Sequence, residues 1–193
     1  MKNLIIFCFV LINYNNYAQI TSTVPLSQVP ILEPNGIYIK DIFNDFSPYI
    51  GIWQAIWQGK TFKLIIAKES QVLKTFQNGE YYYRDYLYGN YIITNNITGA
   101  ELENTTALTD FNFQKIKSAG RPKNNKLSFL YLYRNLCSVA ANLYLKTNPN
   151  NPNELKYGFF YDDWWLPMDC EYSSYDQIPI PIPKVVMTLT RVN

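Results

Sequence analysis

From Ile50 to the C-terminal end, apolar and polar residues alternate in short runs, and Gly, Asn and Pro break the runs every ten residues or so. A period of two sends one face of each run into a core and the other into water. No long amphipathic helical period competes with it. A chain patterned this way has few options beyond a sandwich or a barrel. We read it as all-β, a single antiparallel β-barrel of roughly eight to ten strands with a Pro-rich N-terminal lead-in.

The runs can be followed in order. Residues 19–47 carry Pro25, Pro30 and Pro34 and form an irregular lead-in, with Ile37-Tyr38-Ile39 as a brief edge strand. The domain proper, 48–193, opens at Gly51-Ile52-Trp53. Trp53, Ala55 and Trp57 share one face, and Gln58-Gly59 turns the chain into a second strand with Phe62, Leu64 and Ile66 together. Gln71 to Phe76 reads as a separate short strand. Tyr81, Tyr83, Asp85 and Leu87 share a face of the next, Tyr82, Arg84, Tyr86 and Tyr88 the other, and Gly89-Asn90 suggests a turn or bulge before Tyr91. A short strand follows around Ala100 to Thr105. Phe111 to Phe113 looks extended, Gln114 to Ala119 reads as a helical turn, and Gly120 to Asn125 as a basic exposed loop. Leu127, Phe129, Tyr131 and Tyr133 then align, as do Ala141, Leu143 and Leu145, and Leu155, Tyr157, Phe159 and Tyr161. A loop over 162–183 precedes a last strand, 184–192. Which face points inward stays open.

Composition closes off several chemistries. His is absent, so His-based triads, general bases and metal sites have no means. The net charge of +2 is too small for a nucleic-acid footprint. Apolar residues at 48% supply a core, and the 17 Tyr suit half-buried sheet surfaces. There is no phosphate loop, Cys-x-x-Cys pair or nucleophile elbow.

The N-terminus reads as an address. Lys2 precedes the apolar run Leu4 to Ile12, and Ala18-Gln19 offers a small-residue cleavage point. Residues 1–18 are therefore expected to be a signal peptide, too short in its apolar run to span a bilayer. The protein is expected to be exported, periplasmic or extracellular, soluble, and not membrane-spanning. Cys8 lacks the context of a lipid-anchor site. Cleavage leaves Cys137 and Cys170, an even pair that suggests one disulfide; two separate buried thiols are the alternative.

Gly51-Ile52-Trp53, following Asp45-Phe46, resembles the Gly-x-Trp signature that opens lipocalins and related calycin barrels. That resemblance implies a lipocalin-like barrel in which Trp53 packs across the closed end and Gly51 lets the chain turn in beside it. A broader resemblance covers residues 45 to 192. It rests on Tyr17-Ala18-Gln19, Phe46 to Trp53, Lys60-Thr61-Phe62, Trp165-Leu166 and Ile182 to Thr190. These are similar to an uncharacterised secreted flavobacterial family, known as a domain of unknown function. It implies no substrate, cofactor or catalytic residue.

Candidate sites follow. The interior of such a barrel is a natural place for a small apolar ligand, and Trp53, Phe62, Leu64, Phe129, Tyr131 and Tyr157 are the inward candidates. Core packing is the plainer reading of the same residues. Tyr81 to Tyr88 offers a surface for glycan or protein, or is ordinary strand composition. Asp162, Asp163, Asp169 and Glu171, around Trp164 and Trp165, make the most site-like loop. Carboxylates this close suit cation ligation or carboxylate hydrolysis, against the plainer reading of a solvated acidic loop. Arg121, Lys123 and Lys126 read as a solvated basic loop. The expectation is an exported non-enzymatic barrel with no catalytic residue, metal or cofactor. A surface interaction module is the alternative and a carboxylate hydrolase the minor one.

Overall fold

The computed structural model describes residues 19–27, 35–133, 137, 139–161, 166, 168 and 170–192. Among these residues eleven strands run β1 Ser22–Pro25, β2 Ile37–Lys40, β3 Gly51–Trp57, β4 Lys60–Thr75, β5 Tyr81–Asn95, β6 Glu101–Asn104, β7 Ile116–Lys123, β8 Lys126–Tyr133, β9 Val139–Asn148, β10 Asn151–Tyr161 and β11 Met187–Val192. Eight of them close a ring: β3, β4, β5, β7, β8, β9, β10 and β11, every neighbouring pair antiparallel. Around the ring the strands follow chain order, with β11 returning to β3. Closure gives each ring strand a partner on both sides, while β1 and β6 each pair on one side among the described residues.

Three strands lie off the ring. β2 runs parallel to the start of β5, through Ile37↔Tyr82 to Ile39↔Arg84, and β1 adds parallel to β2. β6 pairs with the far end of β5. So β5 serves three partners on one side along its length: β2, then β7 at Tyr88 and Gly89, then β6.

Burial follows the alternation. Trp53, Phe62, Leu64, Ile66, Leu87, Tyr91, Ile93, Leu127, Phe129, Tyr131, Leu143, Leu145, Leu155, Tyr157 and Leu189 point in and are buried. Gly89 stands on the inward face where β5 meets β7; a Cβ there would lie 3.1 Å from Ile116 and 3.2 Å from Ile66. The late Ile-Pro-Ile-Pro-Ile segment adds Ile178, Ile180 and Ile182 to the same core. Pro in alternate positions keeps that segment extended, so its three Ile side chains share a face.

Several sequence expectations need correction. Gln114 to Ala119 is not a helical turn: Ile116 begins β7, and Ile116 and Ser118 are buried. The ring needs a strand here to close, and that tertiary demand overrides weak helical propensity. Gly120 to Lys123 also belongs to β7, which leaves only Asn124-Asn125 as a turn, both at positive φ (52° and 60°), as a two-residue hairpin requires. Phe111–Phe113 is a single 3-10 turn, capped by the Asp110 side chain accepting from the Asn112 amide. The strand expected over 71–76 is the end of one long β4, and the break expected at Gly89-Asn90 is absent because β5 runs straight through. The last strand starts at Met187.

Candidate functional site

The six residues proposed to line a ligand pocket all face the barrel interior. Trp53, Phe62, Leu64, Phe129, Tyr131 and Tyr157 are each 0–1% exposed. They touch one another and their neighbours: the Phe62 ring meets Tyr157 at 5.7 Å edge-on and Tyr91 at 6.3 Å, and Tyr131 meets Phe159 at 6.3 Å. An eight-stranded barrel is just wide enough for side chains to fill. The polar tips are satisfied inside. The Tyr157 hydroxyl donates to the Pro183 carbonyl at 2.8 Å, the Trp53 indole N–H donates to the Tyr49 carbonyl at 2.8 Å, and the Tyr91 and Tyr131 hydroxyls lie 3.5 Å apart. Burial pushes the Tyr131 and Tyr157 phenols far above their ordinary pKa and that of Tyr49 up to about 12, so all three stay neutral.

A second constellation was not anticipated. Asp85 sits on the inward face of β5, 1% exposed, where the alternation calls for an apolar residue. Lys68 of β4 reaches it at 3.0 Å and reaches Asp41 at 3.3 Å. The Tyr38 hydroxyl donates to Asp85 Oδ1 at 2.5 Å, and the amides of Asp41 and Gln71 donate to the same carboxylate at 3.1 and 3.2 Å. Burial alone would raise the Asp85 pKa. The donors from Tyr38, Asp41, Lys68 and Gln71 outweigh it and hold the carboxyl below its usual range. The same balance holds Lys68 above its own. Two β4 residues, Ser70 and Gln71, oppose the single Asp85, and Gln71 has φ of 55°, so this is a β-bulge whose freed amide the carboxylate collects. The network ties β2 and the Asp41 turn to the barrel wall. The signal that could have exposed it is a lone acid, Asp85, in register with Tyr83 and Leu87 on an apolar face.

Cys137 and Cys170 are bonded, with Cα atoms 5.1 Å apart. The bond anchors the β8–β9 connection to the late loop, whose Tyr175 stacks on Tyr161 at 4.5 Å. Of the acidic loop, Asp162, Asp163, Trp164, Trp165 and Asp169 lie outside the described residues, as do the leader residues 1–18. Among the described residues no group of three or more acids or cysteines is arranged to hold a metal ion.

The outer wall differs from expectation at the Tyr-rich strand. Tyr82, Arg84, Tyr86 and Tyr88 point outward but are only half-exposed. Phe111 lies over Tyr86 and Tyr88, at 5.3 and 6.3 Å, and Lys74 rests on both Tyr86 and Phe111. The strand is roofed by its own chain and presents no flat aromatic row. Arg121, Lys123 and Lys126 are exposed, as expected, but on the arms of the β7–β8 hairpin. With Lys146, Asn124 and Ser128 they line an open concavity of about 370 Å³.

Among the described residues, a closed barrel with an aromatic-filled interior and a basic concavity on its wall defines the class: a compact all-β barrel. The chain belongs to a family of unknown function, DUF6705, whose model matches residues 1–145. No curated protein matches it. Among the described residues no helix is long and apolar enough to cross a membrane.

Proposed function

We propose that this protein is an exported, non-enzymatic barrel of lipocalin-like type that binds its partner on the outer wall. The observation that carries this is the interior: an apolar ligand would have to displace Trp53, Phe62, Phe129, Tyr131 and Tyr157, which are already fully buried against one another. Displacing a buried aromatic forfeits about 1.5–3 kcal/mol each, more than a small apolar guest returns. Buried Asp85 is committed to Lys68, Tyr38 and backbone amides, and Asp41 shares Lys68 and accepts from the Phe46 amide through Oδ2, which favours a structural over a catalytic role. The outer wall carries cross-strand rows such as Lys63–Gln54–Thr190, suited to water. The apolar leader supports export, and so does a disulfide that persists only where thiols are oxidised. The lipocalin-like reading draws on a ring of eight strands in chain order with Trp53 held under the last strand.

Native and denaturing mass spectrometry of protein purified from its own host tests the reading. The expected mass begins at Gln19, is lighter than the reduced chain by the hydrogens of one disulfide, and is the same in both modes. An apolar molecule that is retained natively and released on denaturation overturns the outer-wall reading. An intact leader overturns export.

A further inference from the structure

The registers of four strands place lysines side by side. Lys123 pairs directly with Lys126, Lys126 with Lys146, and Lys146 with Lys156, across β7, β8, β9 and β10. All four are exposed; Lys126, Lys146 and Lys156 face outward because their chain neighbours Leu127, Leu145, Leu155 and Tyr157 point in, and Lys123 is the direct partner of Lys126. Exposed Arg121 joins them around the concavity. With strands about 4.8 Å apart, the row spans roughly 14 Å. Like charges directly opposite one another destabilise a sheet. Here the arrangement is repeated across three consecutive strand pairs, and among the described residues none of the five cations has a carboxylate within 4 Å. Glu154, the acid two residues before Lys156 on β10, instead accepts from the Asn148 side chain at 3.0 Å.

The row is also held in place. Tyr144 lies flat across β10, so close to Gly158 that a Cβ there would fall 2.1 Å from its ring. The Lys126 ammonium sits 4.2 Å from the centre of that ring. Gly158 thus lets the ring lie down, and the ring positions a lysine in the middle of the row.

We propose that Lys123, Lys126, Lys146 and Lys156, with Arg121, bind a linear anionic glycan bearing sulfate or carboxylate groups, laid across β7 to β10. The proposal rests on the exported, outer-wall reading above. Charge complementarity sets the ligand's sign, and the straight row sets its linear shape. Arg121 adds a planar fork matched to sulfate or carboxylate. A single-stranded nucleic acid would want free aromatic platforms for its bases. The ring beside this row, Tyr144, is packed against Gly158 and carries the Lys126 ammonium 4.2 Å from its centre.

Fluorescence anisotropy of the mature protein with a labelled heparin octasaccharide tests the proposal, with desulfated heparin and an oligothymidine of similar length as comparisons. Heparin is expected to bind and to weaken about tenfold or more between 50 and 200 mM salt, as several released counterions require. The Lys126→Gln/Lys146→Gln variant is expected to lose about tenfold or more in affinity, while Lys40→Gln/Lys63→Gln, of equal net charge, is unchanged. The row variant is also expected to melt about 1–2 °C higher, because repulsion is relieved. Equal losses in both variants, tighter binding to oligothymidine, or no heparin binding would each overturn the proposal. None of these outcomes bears on whether the interior retains a ligand, so the two readings fail separately.

Discussion

The Arg191 guanidinium lies 4.1 Å from the centre of the Trp53 ring, and its Nη1 donates to the Ile50 carbonyl at 2.8 Å. The two residues are direct partners across β11 and β3. One residue from the end of β11 thereby covers the largest buried side chain of the first ring strand. Gly51 makes room: its φ is 136°, and a Cβ would sit 2.5 Å from Arg191 Nη1. We expect Gly51→Ala to cost about 2 kcal/mol through backbone strain and a displaced guanidinium. Arg191→Lys, which keeps the charge and loses the planar fork, should cost about 1–2 kcal/mol. Urea unfolding midpoints measure both, and a neutral Gly51→Ala would mean that the arginine is not held there.

The Asp85 network predicts an acid limb. A carboxyl whose folded pKa is depressed contributes stability that is fully present above its unfolded value, about pH 4, and is lost as pH falls through the folded value. Lys68, raised in the fold, contributes in full below its unfolded value near 10.4 and loses it as pH rises through the folded one. Stability should therefore hold between those limits. Asp85→Asn should lower it by about 3 kcal/mol at pH 7, because Lys68 loses its closest partner and Tyr38 a charged acceptor. The variant's midpoint should also fall less steeply below pH 4 than that of the parent. Parallel acid limbs would remove Asp85 from the explanation.

The Cys137–Cys170 bond closes a loop with a sequence separation of 33 residues. On the chain-entropy account it contributes about 3–4 kcal/mol. A Cys137→Ser/Cys170→Ser double variant should lose most of that in denaturant melts and keep its strand signature in far-ultraviolet circular dichroism.

Tyr157 offers a cleaner test of the packed interior. Its hydroxyl donates to Pro183, at the end of the Ile-Pro segment, from a fully buried position. Tyr157→Phe leaves that carbonyl without its donor and should cost about 1–3 kcal/mol. If the interior were a wet pocket, water would replace the hydroxyl and the variant would be nearly neutral.

How much of this was legible in the sequence varies with range. The alternation correctly grouped Phe62 with Leu64, and Leu127 with Phe129 and Tyr131, because a period of two is local. It could not say which group faces in, since that depends on where the ring closes. Residues 114–123 misled because Lys, Gln and Ala favour helix while the ring demanded a strand. The run from Gln71 looked like a new strand because a bulge inside β4 resembles a break. The Asp41–Lys68–Asp85 contacts span up to 44 residues, and the lysine row exists only through strand register. Arg121, Lys123 and Lys126 could be seen as a cluster, but Lys146 and Lys156 could not be joined to them from spacing alone.

The division of β5 among three partners leaves one joint of the ring narrow. β5 and β7 share two paired positions, Tyr88↔Lys117 and Gly89↔Ile116, with the Leu87 amide donating to the Ser118 hydroxyl at 2.9 Å beside them, whereas β4 and β5 share fourteen. The barrel is in effect a sheet rolled up and fastened along a short seam. Amide hydrogen exchange should be fastest, among the ring's ladders, at that seam. The β11–β3 ladder joins the two ends of the ring's chain, Thr190 to Gln54, and as its most non-local pairing it is the natural last event in folding. Gly89 is the eyelet through which the seam is drawn: a larger residue there should leave the sheet intact and the cylinder unlaced.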